Sequence, residues 1–287
     1  MNIIAKRLFE TQALEVAGEG RPFWYASGDF GPYYINTHYL YGGKDKAGKL
    51  LSYIDANVQD RKRLPVLLIR EVRRNYKEDE WYRSVMDEAA SMVRAMFPGR
   101  FAFVSGGERR DWFFSYVIAD LIGADHLTIY KDGEIIRTRD SSVIENRDLV
   151  GEGILHVADL VTAASSYTRA WIPSLEKQGA RMSHSLAMVD RNQGGMEILQ
   201  ENGVFAHACV TFNKELFAEA LLDGIISSAQ FTMISDFMDS PEDFMQTYVQ
   251  NNPGFLRESY EADEKTRSRV DMYRKKTGMH TAAREGT

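Results

Sequence analysis

Residues 152–166 read EGILHVADLVTAASS. Ile154 to Val157 is apolar enough for a buried strand, and Asp159 closes it. A turn of Thr162, Ala163, Ala164, Ser165 and Ser166 then leads into a helix that starts near Ser166. A strand, a short hydroxyl-bearing loop and a helix make a recurring phosphate cradle. The loop offers backbone N–H groups, and the helix N-terminus adds a favourable dipole. An acid at a strand end lies where an open α/β sheet takes its ligands. The same residue types also make an ordinary N-capped helix start.

Outward from this stretch, apolar strands alternate with helical runs. Residues 101–104, 126–130, 184–189 and 205–211 read as strands. Residues 112–122, 166–178 and a short run ending at 201 read as helices. This alternation predicts a mostly parallel sheet flanked by helices. Pro173 inside 166–178 removes a helical donor and predicts a kink unless it falls in the first turn. Nearer the N-terminus, 2–15 and 44–58 are predicted helices, 20–40 short strands and turns, and LPVLLI at 64–69 a buried strand. Residues 76–97 carry Tyr76, Val85, Ala89, Met92, Val93 and Met96 at helical spacing. Residues 132–150 are polar. Beyond 213, residues 214–228, 241–250 and 256–276 read as helical, and the tail after Thr277 is predicted to lack structure.

The 152–166 stretch resembles the phosphoribosyl-pyrophosphate (PRPP) motif of type I phosphoribosyltransferases. There, apolar residues lead to two adjacent acids and a loop of Thr and Gly. In this chain Ala158 stands at the first acid and Ala164 at the glycine. Two further stretches are similar to orotate phosphoribosyltransferases. One is FETQAL at 9–14 with Tyr25-Ala26-Ser27-Gly28 and Gly31-Pro32-Tyr33-Tyr34-Ile35-Asn36. The other is MVDRNQGG at 188–195. The three stretches occur in the family's order and frame about residues 5–222.

The resemblance implies an α/β core with a mostly parallel sheet flanked by helices. It implies a domain over 1–222, with a small N-terminal hood over about 1–43 and an inserted helix over about 76–97. Residues 223–287 would be a helical C-terminal extension, and the assembly a homodimer. The implied reaction moves ribose 5-phosphate from PRPP to orotate or a related planar base, in pyrimidine nucleotide synthesis. Mg²⁺ would accompany PRPP, with no direct protein ligand. Asp159 would hold the ribose hydroxyls, and Thr162, Ala163, Ala164, Ser165 and Ser166 the 5′-phosphate. Arg109 and Arg110 fall at the pyrophosphate loop. Tyr33, Tyr34, Ile35 and Arg191 fall at the base site. Lys131 matches a basic residue that closes the strand before the family's catalytic loop. That loop carries Lys and His in the family, whereas 132–150 here contains neither. Arg137 and Arg139 are the candidate electrostatic clamps in their place. Ala158, Ala164 and the altered loop favour instead a non-catalytic homologue that binds a nucleotide or phosphorylated metabolite as a regulator or partner-binding protein, whereas the intact Tyr33-Tyr34-Ile35-Asn36 and Asp190-Arg191 favour the transferase.

Composition sets the outer bounds. A chain of 287 residues with 44% hydrophobic and 26% charged residues can bury one large core, or one core plus an appendage. A net charge of −6 argues against nucleic acid as the main partner, despite dense Lys and Arg at 61–77 and 265–276. The single cysteine, Cys209, lies in an apolar run and reads as a buried thiol. None of the six histidines has metal-ligand spacing. No apolar run approaches the ~20 residues of a membrane span. The opening MNIIAKRLFE lacks a signal-peptide core, so a cytoplasmic protein is expected.

Overall fold

The computed structural model describes residues 1–18, 21–97, 99–145 and 149–278. It divides into two compact units. The first joins Met1–Leu14 to Asn36–Asn213, and the second joins Glu15–Ile35 to the residues from Lys214 onward.

The first unit is built on a seven-stranded sheet. Its spatial order is Phe205–Thr211, Arg181–Asp190, Gly153–Val161, Phe103–Gly107, Asp125–Ile129, Ile135–Arg139, Ser142–Val143. The first five strands are parallel, and the last two add antiparallel, each to its neighbour. From Phe103–Gly107 the chain moves to Asp125–Ile129 on one side. It then crosses back to Gly153–Val161 on the other side and continues outward. The sheet therefore has a switch point between Phe103–Gly107 and Gly153–Val161, where the outgoing connections diverge and leave a crevice.

The Trp112–Ile122 helix has Trp112, Phe113, Phe114, Tyr116, Val117, Ile118 and Ala119 all buried. A helix apolar on every side belongs inside a structure, and this one packs on the central strands beneath two outer helices. Those two are Arg63–Glu78 and Glu80–Met96. LPVLLI is thus the first turns of a helix and not a strand. Leu64, Leu68, Ile69 and Val72 are buried along one helical stripe, and a six-residue apolar run cannot by itself separate strand from helix. The helix expected over 76–97 begins only at Glu80, because Asp79 breaks the run and caps it by accepting from the Tyr82 N–H.

Other boundaries shift for local reasons. The helix expected over 2–15 ends at Glu10, and Gln12 follows in a left-handed conformation. The polar stretch after 132 contains the strands Ile135–Arg139 and Ser142–Val143. Pro173 is absorbed without ending its helix: Tyr167–Trp171 widens into a π-turn, and the Ile172 N–H bonds to the Tyr167 carbonyl. The tail expected to lack structure after Thr277 lies, beyond 278, outside the described residues.

In the second unit, Phe23–Trp24 and Phe30–Gly31 pair as a short antiparallel ribbon. Trp24 stacks on Phe255, and its indole N–H donates to the Ser259 hydroxyl at 3.0 Å. Phe30, Val270 and Tyr273 complete a small core. The strands expected as a hood are therefore packed with the C-terminal helices, and the structural division falls at 213/214, not at 222/223. The helices there are Lys214–Leu222, Ser228–Asp239, Pro241–Asn251, Phe255–Ala262 and Glu264–Thr277. No helix among the described residues is long and apolar enough to cross a membrane.

Candidate functional site

The switch point of the first unit opens into a cavity of about 290 Å³. Two loops supply most of its wall. Glu108, Arg109, Arg110 and Asp111 follow the Phe103–Gly107 strand. Asp159, Thr162, Ala164, Ser165 and Ser166 follow or close the Gly153–Val161 strand. Lys131, just after the Asp125–Ile129 strand, lines a third side. Ala163 is exposed in the same loop but is not part of the wall.

Tight packing fixes both loops. Gly107 has no room for a side chain, because a Cβ there would overlap the Trp171 indole. A Cβ on Gly195 would overlap the Thr162 carbonyl, so the 190–196 loop lies directly against the phosphate-type loop. The Arg191 N–H also donates to the Val161 carbonyl at 2.9 Å. The MVDRNQGG stretch is thus bound in space to residues 152–166. Ala164 adopts φ +48°, the left-handed conformation that favours glycine.

The charges are arranged unevenly. The Asp111 carboxylate accepts from the Gly107 N–H and from the Asp159 N–H, both at 2.9 Å. It ties the two strand ends together. Burial, then the adjacent Asp111 charge, pushes the Asp159 carboxyl well above the usual carboxylate range, and Arg110 opposes that push. Glu108 accepts from the Lys131 N–H at 3.0 Å, and the Lys131 ammonium sits 3.8 Å from it. Arg109 pairs with Asp55, while the exposed Arg110 side chain has no ion-pair partner among the described residues. Guanidinium groups suit a phosphate or pyrophosphate through paired N–H donors.

Arg137 and Arg139 are not at this cavity. Both pair with Asp125, with Arg137 Nε at 2.6 Å, at the opposite end of the Asp125–Ile129 strand. Their strand adds antiparallel to the sheet, and this register turns both guanidinium groups away from the switch point. The expected clamp role does not fit that placement.

The base-site candidates divide between the units. Tyr33, Tyr34 and Ile35 form a strand of the second unit, and Arg191 belongs to the first. The Tyr33 ring is buried against Phe217 and Phe237. Tyr34 is half-buried, with Phe23 and Tyr25 as ring neighbours.

Asp111, Tyr167 and Trp171 line the cavity without having been singled out from sequence. An acid three residues beyond Glu108 carries no motif, and only the fold brings it to Asp159. His38 was missed as well. Burial, and then Arg110 and Arg109, lower its pKa to about 4, which places it beside the arginine loop.

An open parallel sheet with this crevice is the fold of the type I phosphoribosyltransferases. Leishmania donovani UMP synthase superposes with a TM-score of 0.57 at 17% identity, over 83% of this chain and 42% of that one. The orotate phosphoribosyltransferase of Francisella tularensis superposes with a TM-score of 0.53 at 14% identity, over 87% and 98%. In sequence, the chain is 40% identical over 76 residues to orotate phosphoribosyltransferase of Halobacterium salinarum, which is 26% of this chain and 43% of that protein. It is 33% identical over 64 residues to the Thermoplasma acidophilum orotate phosphoribosyltransferase, covering 22% and 37%. The chain spans less than half the length of these curated relatives in the matched regions. No family model matches. The fold is that of the type I phosphoribosyltransferases, and over about a quarter of its length the chain is similar in sequence to orotate phosphoribosyltransferases.

Proposed function

We propose that the chain binds PRPP at the switch-point cavity and transfers its ribose 5-phosphate to orotate or a related planar base. In the transfer, the bond from the ribose C1 to pyrophosphate breaks and a bond from C1 to a ring nitrogen forms. One observation carries this reading. Asp159, the hydroxyls of Thr162, Ser165 and Ser166, and Arg110 line one cavity, as a ribose flanked by two phosphate groups requires. The loop hydroxyls and N–H groups would take the 5′-phosphate. Arg109 and Arg110 would take the pyrophosphate, with Lys131 beside them. On the first unit Arg191 is the proposed base contact; Tyr33, Tyr34 and Ile35 are the candidates on the second.

The wall offers oxygen donors of the kind a hard cation takes, namely Asp159, Asp111 and the loop hydroxyls. Among the described residues no group of three or more His, Cys, Asp or Glu could hold a metal ion. Mg²⁺ would be bound chiefly through the substrate's phosphates, where it would neutralise the leaving group's charge. The chain's own share is to orient the ribose and to place positive charge where pyrophosphate leaves.

A second reading is favoured by one specific observation. Arg137 and Arg139, the only cations that could stand in for the family's loop within 132–145, are committed to Asp125. A homologue that binds a nucleotide or phosphorylated metabolite without catalysis would need no such loop. Isothermal titration with PRPP and Mg²⁺, then with orotate and orotidine 5′-monophosphate, separates the two. Tight PRPP binding followed by pyrophosphate release supports the transferase. Nucleotide binding without PRPP binding supports the regulator. A cytoplasmic homodimer is part of the proposal, and light scattering on the purified chain reads the dimer directly.

A further inference from the structure

We propose that Asp111 supplies the second carboxylate of the donor site, in place of the acid that position 158 lacks. This rests on the phosphoribosyl reading of the cavity. Ala158 borders the same cavity but brings only a methyl group to it. Ala158 is 2% exposed and packs in an apolar cluster with Ala164, Tyr167 and Trp171.

Asp111 reaches the same cavity from the other side of the switch point, at the start of the Trp112–Ile122 helix. Its side chain is built in. Gly107 N–H holds one oxygen and Asp159 N–H the other. His156 Nε2 lies 3.4 Å from Asp111 Oδ2. The His156 ring is itself oriented by Ser105 Oγ, 2.9 Å from Nδ1. His156 is fully buried, and its Nε2 makes no hydrogen bond in the structure, so the ring's free edge is aimed at this carboxylate. A carboxylate offers about four lone-pair directions, so two such contacts leave capacity toward the cavity. Asp111 and Asp159 therefore present two acids to one cavity, one from each side of the crevice. The charged and titratable groups around Asp159 are Asp111, Arg110 and Tyr167, with His156 behind Asp111.

The test uses the full chain and two readouts. Carboxyl ¹³C NMR follows the Asp159 titration without ligand, and calorimetry follows PRPP with Mg²⁺. Asp111→Asn should lower the Asp159 midpoint by about one pH unit or more. It should weaken PRPP about tenfold or more, and Asp111→Glu should recover part of that loss. Should Asp111→Asn not fold, Asp111→Ser is measured in the same two ways. An unmoved midpoint, or equal PRPP affinity in the wild type and Asp111→Asn, overturns the proposal while leaving the transferase reading in place. Absence of PRPP binding to the wild-type chain overturns the transferase reading, and this assignment with it.

Discussion

Ala164 shows how a single methyl group can report on a site. It holds a left-handed backbone at φ +48°, which costs an alanine roughly 1–2 kcal/mol. Its methyl is also buried in the apolar cluster beside Ala158 and Trp171, worth about 0.8 kcal/mol. These terms nearly cancel once glycine's greater unfolded-state freedom is counted. Ala164→Gly should then leave stability within about 1 kcal/mol of wild type by urea denaturation. A larger loss would show that the loop does not adopt this conformation. At Asp159 the sign is unusual for a carboxylate. Its folded pKa is raised, first by burial and then by Asp111. The folded state therefore binds the extra proton, and stability falls as pH climbs from the ordinary Asp range through the raised value. Asp159→Asn should melt higher than wild type at pH 8, with the gap closing near pH 4, while binding PRPP more weakly. Asp159 and the 162–166 loop were legible in the sequence, because strand, acid and hydroxyls are contiguous. Asp111 was not, because its partner is 48 residues away.

At the level of elements, the close fit between the Phe103–Gly107 strand end and the helical run at 165–176 sets the cavity's floor. A Cβ on Gly107 would overlap Trp171, so Gly107→Ala should cost about 1–3 kcal/mol. In a Trp171→Ala background the same substitution should cost measurably less, since the two side chains compete for one space. Additive costs in that double-mutant cycle would sink the packing account. The alternating strands and helices of the sheet were readable because each has its own period and turn residues. LPVLLI was misread because a short apolar run fits either period. The Ile135–Arg139 strand was missed because Arg137 and Arg139 make it look like surface loop. Only its antiparallel register, which sets both arginines against Asp125, explains charged residues in a strand.

On the scale of the whole molecule, the second unit is discontinuous in sequence, and no motif announces that the 15–35 segment belongs with helices after 213. Its core depends on Trp24, stacked on Phe255 and bonded to Ser259. Trp24→Ala should destabilise this unit by about 3–5 kcal/mol, seen as early proteolysis within 214–278. Unchanged resistance would count against the assignment. The first unit carries its own acid sensitivity. His126 is fully buried between Ser115 and Thr128, and burial, followed by the neighbouring His156, lowers its pKa well below the usual value. The unfolded chain binds that proton first, so stability should drop as pH falls below about 6.5. His126→Gln should flatten this limb of the thermal-midpoint profile.

The pairing of Trp24 with Ser259 spans 235 residues, and that of Phe30 with Met245 spans 215. A ribosome making this chain exposes the aromatic-rich 15–35 segment long before its partners exist. At about 5–20 residues per second, the wait lasts on the order of ten seconds or more. Throughout that interval the sheet of the first unit can assemble strand by strand, while Trp24 and Phe30 stay uncovered. The segment's need during synthesis is therefore for a temporary shield, and the chain's dependence on chaperones should concentrate there.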